Sequence, residues 1–351
     1  MAFRGRLTKE QIEQDPQQQI TSWQREQPFA VCIDTDGCTL DNMWAKQVIV
    51  FHPHFMDFNG LRPAEMSFRV HAEHHNLWSK TRGCDRYLAV RHTLASLLED
   101  PQARDSLDVG HVEDLLASST GYVDWINNSG GAKAFGIPSV RECHEQNGLD
   151  YHITRLLGWS EAVDRTFKYV TLGMPPFDGV PETLEYLSQK ADVLVVSATP
   201  YDDLAEWWTR TGLARHVQAI AGKEMGKKAD HIRLLMEAGG YGPDELIMIG
   251  DGGGDLKAAH SNGALFYPTP AGREQAAWQD ARQAFDAFFA GGYRGPLEDQ
   301  RVAEFEHVLL DSAPWQQPGY DAQQEYRKLQ QKRIDTYRQL HPQGKLFTLD
   351  G

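Results

Sequence analysis

The chain has 351 residues, 41% hydrophobic and 24% charged, which is ordinary for a soluble globular protein. Its formal net charge of −14 argues against a nucleic-acid binder, which carries a basic excess or stripe. No stretch reaches the roughly 18–20 uncharged apolar residues that a membrane span needs, and the length suits two domains or one domain with a large insertion.

Residues 1–27 read as a polar, glutamine-rich lead-in with no apolar h-region, so no secretory leader is expected. Four cysteines, Cys32, Cys38, Cys84 and Cys143, are scattered without CxxC spacing. They fit reduced thiols and a cytoplasmic location better than a disulfide framework. The apolar run Phe29-Ala30-Val31-Cys32-Ile33 predicts a buried strand ending in the loop Asp34-Thr35-Asp36-Gly37-Cys38-Thr39. In open α/β sheets ligands bind at the carboxyl ends of strands. Two carboxylates one residue apart are costly there unless a cation or a shared proton relieves them. A divalent cation with oxygen ligands is the simplest relief, and an ordinary Asp-Gly turn is the plain alternative.

Between residues 43 and 172 the texture changes. Leu88, His92, Ala95 and Leu98, and then Val112, Leu115 and Leu116, recur at helical spacing. This predicts a mostly helical insertion, with a loop from Ile126 to Pro138 around Asn127-Asn128-Ser129-Gly130-Gly131. From Pro175 strand and helix alternate. Strands are expected at Asp192–Val196, Val217–Ala221, Leu246–Ile249 and Ala264–Tyr267. Helices are expected near 181–190, after Thr199-Pro200, and over Lys228–Ala238. The fold class implied is α/β, a three-layer parallel sheet with an inserted, mostly α-helical domain. Residues 271–351 read as helical and charged.

Chemistry-bearing residues close the later strands. Ser197 follows Val193-Leu194-Val195-Val196 and can either donate to an anionic oxygen or cap a turn. Gly250-Asp251-Gly252-Gly253-Gly254-Asp255 follows the strand Leu246–Ile249, where glycines allow close backbone approach and Asp251 and Asp255 add two carboxylates. Lys227 and Lys228 open a helix against its dipole, which calls for a nearby anion.

With these residues assembled, the chain resembles the haloacid dehalogenase (HAD) superfamily, on its phosphatase side. Asp34 to Thr39 matches the family's Asp-x-Asp-Gly-x-Thr motif, Ser197 its second motif, and Gly250 to Asp255 its Gly-Asp-x-x-x-Asp motif. Lys227, 24 residues before Asp251, matches its lysine, with Lys223 and Lys228 as neighbours able to take that place. The resemblance implies a Rossmann-like HAD core over 28–42 and 173–290, a helical cap over 43–172 and a helical extension over 291–351. It implies Mg²⁺ held by Asp34, Asp36 (through its backbone carbonyl), Asp251 and Asp255. It also implies Asp34 as nucleophile, Asp36 as acid and base, and Ser197 with Lys227 on the phosphoryl oxygens.

Thr39, Thr199, Arg82 and Arg86 are further candidates for substrate binding, the two arginines because 61–92 is locally basic and guanidinium pairs well with anions. A solvated helix face with surface ion pairs is the alternative for that segment. His52, His54, His71, His74 and His75 could ligate a metal, although no zinc pattern is completed. Cys38, an uncommon residue in this motif, is expected to make the loop sensitive to oxidation. The activity implied is Mg²⁺-dependent hydrolysis of a small phosphorylated, anionic metabolite, with no nucleic acid or membrane partner. Alternatives are a phosphomutase, a phosphonatase-like enzyme or a non-catalytic binding protein of the same fold.

Overall fold

Five apolar segments form one parallel sheet: β1 (Phe29–Ile33), β2 (Ala191–Val196), β3 (Ala219–Ala221), β4 (Leu246–Gly250) and β5 (Leu265–Pro268). The computed structural model describes residues 5–131, 133–146 and 150–340, the last five of these by backbone alone. The strand order is β3-β2-β1-β4-β5. Strands β2 to β5 are buried along their whole length, which is why they read as continuous apolar runs rather than alternating ones. Each fully buried Val, Leu or Ile contributes about 1.5–3 kcal/mol relative to exposure.

The central strand decides where the chemistry goes. β1 pairs with β2 on one side (Ile33↔Val195) and with β4 on the other (Ile33↔Ile249). The chain therefore runs outward from β1 in both directions, and a crevice opens at the carboxyl ends where the order reverses. Asp34, Ser197 and Asp251 are the residues just past that edge. The Asp34 amide still donates to Ile249 O (3.0 Å), and the Ser197 amide to Ala221 O (3.0 Å). One charged residue lies inside a strand: Asp192, near the opposite end of β2. It is tolerated because Glu26 N, Gln218 Nε2 and the Tyr241 hydroxyl all donate to it.

The expected helices form with small shifts, at Val180–Leu187, Tyr201–Arg210 and Lys228–Gly239, and the last ends on Gly240 in the left-handed region (φ 64°). Among the described residues from Ile33 to Ala191 the regular elements are helices. The chain divides into two compact units. One holds Met1–Val50, Asn76–Cys84 and Val163–Asp311; the other holds Phe51–His75, Asp85–Ala162 and Ser312–Gly351.

Within the second unit, Phe55 packs against Phe68 and Trp159. The helix Ala322–Leu340 is tied to the helix Glu65–Glu73 by the Arg333–Glu73 ion pair, and Trp315 stacks on His71 at 3.7 Å. Residues 341–351 of the expected C-terminal extension lie outside the described residues. Among the described residues, no helix is long and apolar enough to cross a membrane.

Candidate active site

The loop after β1 is shaped by its smallest residue. Gly37 has φ 72°, and a Cβ there would lie 2.4 Å from Met43 Cγ and 2.6 Å from Asp251 Oδ2. Only glycine lets this loop approach the β4 loop so closely. Thr39, entirely buried, donates to Asp34 O (2.8 Å) and Thr35 O (3.2 Å). Its hydroxyl is spent inside the loop, so it ties the turn together and does not face a substrate. Two buried tryptophans anchor the same loop: Trp208 Nε1 donates to Thr35 Oγ1 (3.1 Å) and Trp278 Nε1 to Cys38 O (2.7 Å).

Asp34, Asp251 and Asp255 converge. One carboxylate oxygen from each lies within 4.8 Å of the others, and all three residues are buried. Asp255 sits in the first turn of the helix Gly253–His260, where Gly252 N donates to its Oδ2. Lys228 Nζ bridges two members, at 2.6 Å from Asp34 Oδ2 and 2.6 Å from Asp255 Oδ1. The lysine that reaches the site is thus Lys228. Lys227, the expected one, is the exposed residue preceding the helix. In extended backbone at Lys227 the side chain leaves the cluster, while the first helical position directs Lys228 into it; spacing alone could not separate the two.

Burial pushes the Asp34 carboxyl up, with Lys228 only partly opposing it, and burial also raises Asp251 against the pull of Arg82. Burial would lower the Lys228 ammonium, but Asp255 and Asp34 raise it above its usual value, so it stays charged. Three buried carboxylates with oxygen donors only, and no sulfur or imidazole among them, suit a hard divalent cation.

Asp36 is turned elsewhere. Its carboxylate accepts from Asn42 Nδ2 (2.5 Å), Lys46 Nζ (2.8 Å) and Thr199 Oγ1 (2.7 Å). Burial alone would raise this carboxyl, yet Lys46, Thr199 and Asn42 together hold it below its usual value. Its side chain is therefore not part of the cation cluster, in keeping with a carbonyl ligand at most. The ionised form also fits the base half of its expected role better than the acid half. A cavity of about 10 Å³, close to the space of one water, lies beside it among Leu40, Phe167, Thr199, Leu204 and Trp207. Ser197 is buried at the end of β2, where its hydroxyl accepts from Thr199 N (3.3 Å).

Arg82 is not free to grip a substrate. Its guanidinium is buried, with Nε 2.8 Å from Asp251 Oδ2 and Nη2 3.2 Å from Glu274 Oε1. Arg86 belongs to the second unit, where it lies 4.9 Å over the Phe51 ring. Cys38 is fully buried, and burial followed by the Asp34 and Asp251 charges pushes its thiol well up, so the reactive thiolate is suppressed and the expected oxidation sensitivity has no support. Four of the five candidate histidines are packing groups: His52 packs edge-on to Phe68, His71 bonds Ser96 and Asp100, His75 bonds Ser96, and His74 packs edge-on to Trp315. Among the described residues, the one triplet spaced for a metal is the aspartate cluster. Sequence reasoning missed Asn42, Lys46 and Glu274; the acidic start of the helix Glu274–Phe289 was a faint signal for the last.

Residues 140–267 match the family model described as haloacid dehalogenase-like hydrolase, a span that holds β2, β3, β4, Ser197, Lys228, Asp251 and Asp255 but not β1 or the Asp34–Thr39 loop. Over that span the chain is similar to the haloacid dehalogenase-like hydrolases. A 92-residue stretch of the chain is 35% identical to a 5'-nucleotidase of Pseudomonas aeruginosa; it covers 25% of the chain and 42% of that relative's length. Solved structures of similar fold include a magnesium-bound putative HAD hydrolase from Bacillus subtilis, 14% identical with a TM-score of 0.39, covering 70% of this chain and 86% of that one. Another is a phosphonoacetaldehyde hydrolase-like protein from Oleispira antarctica, 13% identical with a TM-score of 0.45, covering 88% and 96%.

Proposed function

We propose that this protein is a phosphomonoesterase that needs a divalent cation, Mg²⁺ by preference, and acts on a small phosphorylated metabolite. One observation carries the reading: Asp34, Asp251 and Asp255 offer oxygens within 4.8 Å of one another beside a charged Lys228. The cation would be held by those three carboxylates and the Asp36 carbonyl, and when bound it neutralises charge on the phosphoryl oxygens.

In the first half of the reaction an Asp34 oxygen attacks phosphorus, the ester P–O bond breaks and the leaving oxygen takes its proton from Asp36 in its protonated form. In the second half a water attacks the aspartyl-phosphate, gives its proton to Asp36, and inorganic phosphate departs with Asp34 restored. Asp36 is already ionised by its three donors, which is the state a base requires. To protonate the leaving oxygen as well, Asp36 must first lose part of that hold, and an anionic substrate competing for Lys46 would loosen it. Lys228 and Ser197 stabilise the transferring oxygens, where charge must be met in phosphoryl transfer.

The test is release of phosphate from p-nitrophenyl phosphate and acetyl phosphate with Mg²⁺, followed by a metabolite panel. The nucleotidase name of the Pseudomonas aeruginosa relative puts nucleoside monophosphates on that panel. Inertness towards every phosphoester tried would remove the reading and favour a binding role.

A further inference from the structure

A buried arginine sits directly behind the proposed cation cluster, and no step of the reaction described above uses it. Arg82 Nε and Nη2 both lie 2.8 Å from the same oxygen, Asp251 Oδ2. Nη2 also reaches Glu274 Oε1 at 3.2 Å, and Nη1 donates to Leu77 O at 3.2 Å. The side chain is 2% exposed, so its donors are spent inside the fold. Its backbone is fixed as well. Arg82 N donates to Ser79 O (2.9 Å), Gly83 takes φ 78°, and this turn lies against the β4 loop, with Arg82 O 3.4 Å from where a Gly252 Cβ would stand. Glu274 begins the helix Glu274–Phe289, whose Trp278 holds Cys38 O in the nucleophile loop. One helix thus supports both sides of the aspartate cluster, directly at Cys38 and through Arg82 at Asp251.

Two guanidinium nitrogens converging on one carboxylate oxygen hold that oxygen in place and restrict how the side chain turns. They occupy Oδ2 and leave the other oxygen for a cation. We propose that Arg82, held by Glu274, is a positioning residue that fixes Asp251 for cation binding. This rests on the reading of the cluster as a cation site. It gives Arg82 a task different from the one its basic segment suggested, which was to contact the substrate. Partners that orient ligating carboxylates typically govern metal affinity by 10–100-fold. Charge alone predicts the reverse effect: removing a cation from beside the cluster would tighten Mg²⁺. The two accounts are therefore separable by sign, and by a substitution that keeps charge while losing the planar fork.

The experiment is calorimetric titration of Mg²⁺ into the full-length wild type, Arg82→Lys, Arg82→Met and Glu274→Gln, without substrate. The Mg²⁺ Kd is expected to rise about 10–100-fold in both arginine variants and by a smaller factor in Glu274→Gln. Unchanged or tighter binding in Arg82→Met overturns the proposal. So does wild-type affinity in Arg82→Lys beside a weakened Arg82→Met, because that pattern shows that any hydrogen-bonding cation suffices and the planar fork is not what orients Asp251. Melting curves in EDTA identify any variant that fails to fold; if Arg82→Met does, Arg82→Lys and Glu274→Gln decide by the same criteria. A wild type that takes up no Mg²⁺ defeats the cation-site reading itself, whereas Mg²⁺ binding that ignores all three substitutions defeats only the role of Arg82.

Discussion

Lys46 Nζ lies 2.8 Å from Asp36 Oδ2, and both side chains are largely shielded from water. Lys46 is the one full positive charge among the three donors to that carboxylate, and it opens the π-helix Lys46–Phe51. Its removal leaves Asp36 with Asn42 and Thr199 alone. In Lys46→Met, kcat should fall by about 10–10²-fold, a fraction of the 10²–10⁴ that positioned acid–base groups supply. If the water-attack half suffers most, acid-quenched enzyme will hold more phosphoaspartate than wild type. Unaltered kcat would mean that Lys46 only packs against the Phe167 ring, which it also approaches.

Asp34→Asn tests the nucleophile. The amide keeps the shape of the side chain but cannot form the phosphoenzyme, so turnover should drop below detection while far-UV circular dichroism stays unchanged. The substitution takes one negative charge out of a buried cluster, so no large loss of stability is expected. Full activity in this variant would refute the assignment.

The cation itself is tested by removal. EDTA should stop phosphate release, and Mg²⁺ should restore it. Binding to the folded state alone stabilises by RT ln(1 + [L]/Kd), so the melting temperature should rise with Mg²⁺ concentration in wild type. Activity indifferent to chelator would count against Asp34, Asp251 and Asp255 as a cation site.

Gly37→Ala should damage the same cluster from the backbone. The left-handed φ and the close approach to Met43 and Asp251 both oppose a side chain at this position. Alanine must push the Asp34–Thr39 loop away from the β4 loop. A Mg²⁺ affinity reduced several-fold or more, with the fold retained, is the expected outcome. An unaffected Kd would show that the two loops do not need their present separation.

The sheet was legible because its strands are buried on both faces and read as uninterrupted apolar runs closed by Asp34, Ser197 and Asp251. Those residues had to meet once the strands paired in parallel. What escaped the sequence depends on direction rather than on residue type. Lys227 and Lys228 are chemically identical, and only the start of the helix decides which one reaches Asp34. Arg82 looked like a surface cation in a basic stretch, but a tight turn carries it inward onto Asp251 and Glu274. Thr39 fitted the motif while its hydroxyl is consumed by the loop's own carbonyls.

Acid should weaken the second unit through its histidines. Burial, followed by neighbouring His71, pushes His74 down to about 4; burial, followed by His74 and His92, pushes His75 down to about 3. Both are neutral in the folded protein near pH 7 and return towards about 6.5 on unfolding. Between those limits the unfolded chain binds more protons than the folded one, so stability rises with pH across the window. It is fully present above about pH 6.5, falls as the pH drops towards 4, and loses little more from these two groups below pH 3. The surroundings agree with this direction: the two rings pack against each other, His92 and Trp315, and the nearby carboxylate Asp100 is engaged by His71. The melting temperature should therefore fall between pH 7 and pH 4.5. In His74→Phe, which keeps a ring and removes one titrating group, that fall should be shallower. An identical pH slope in this variant would show that the acid sensitivity arises at other residues.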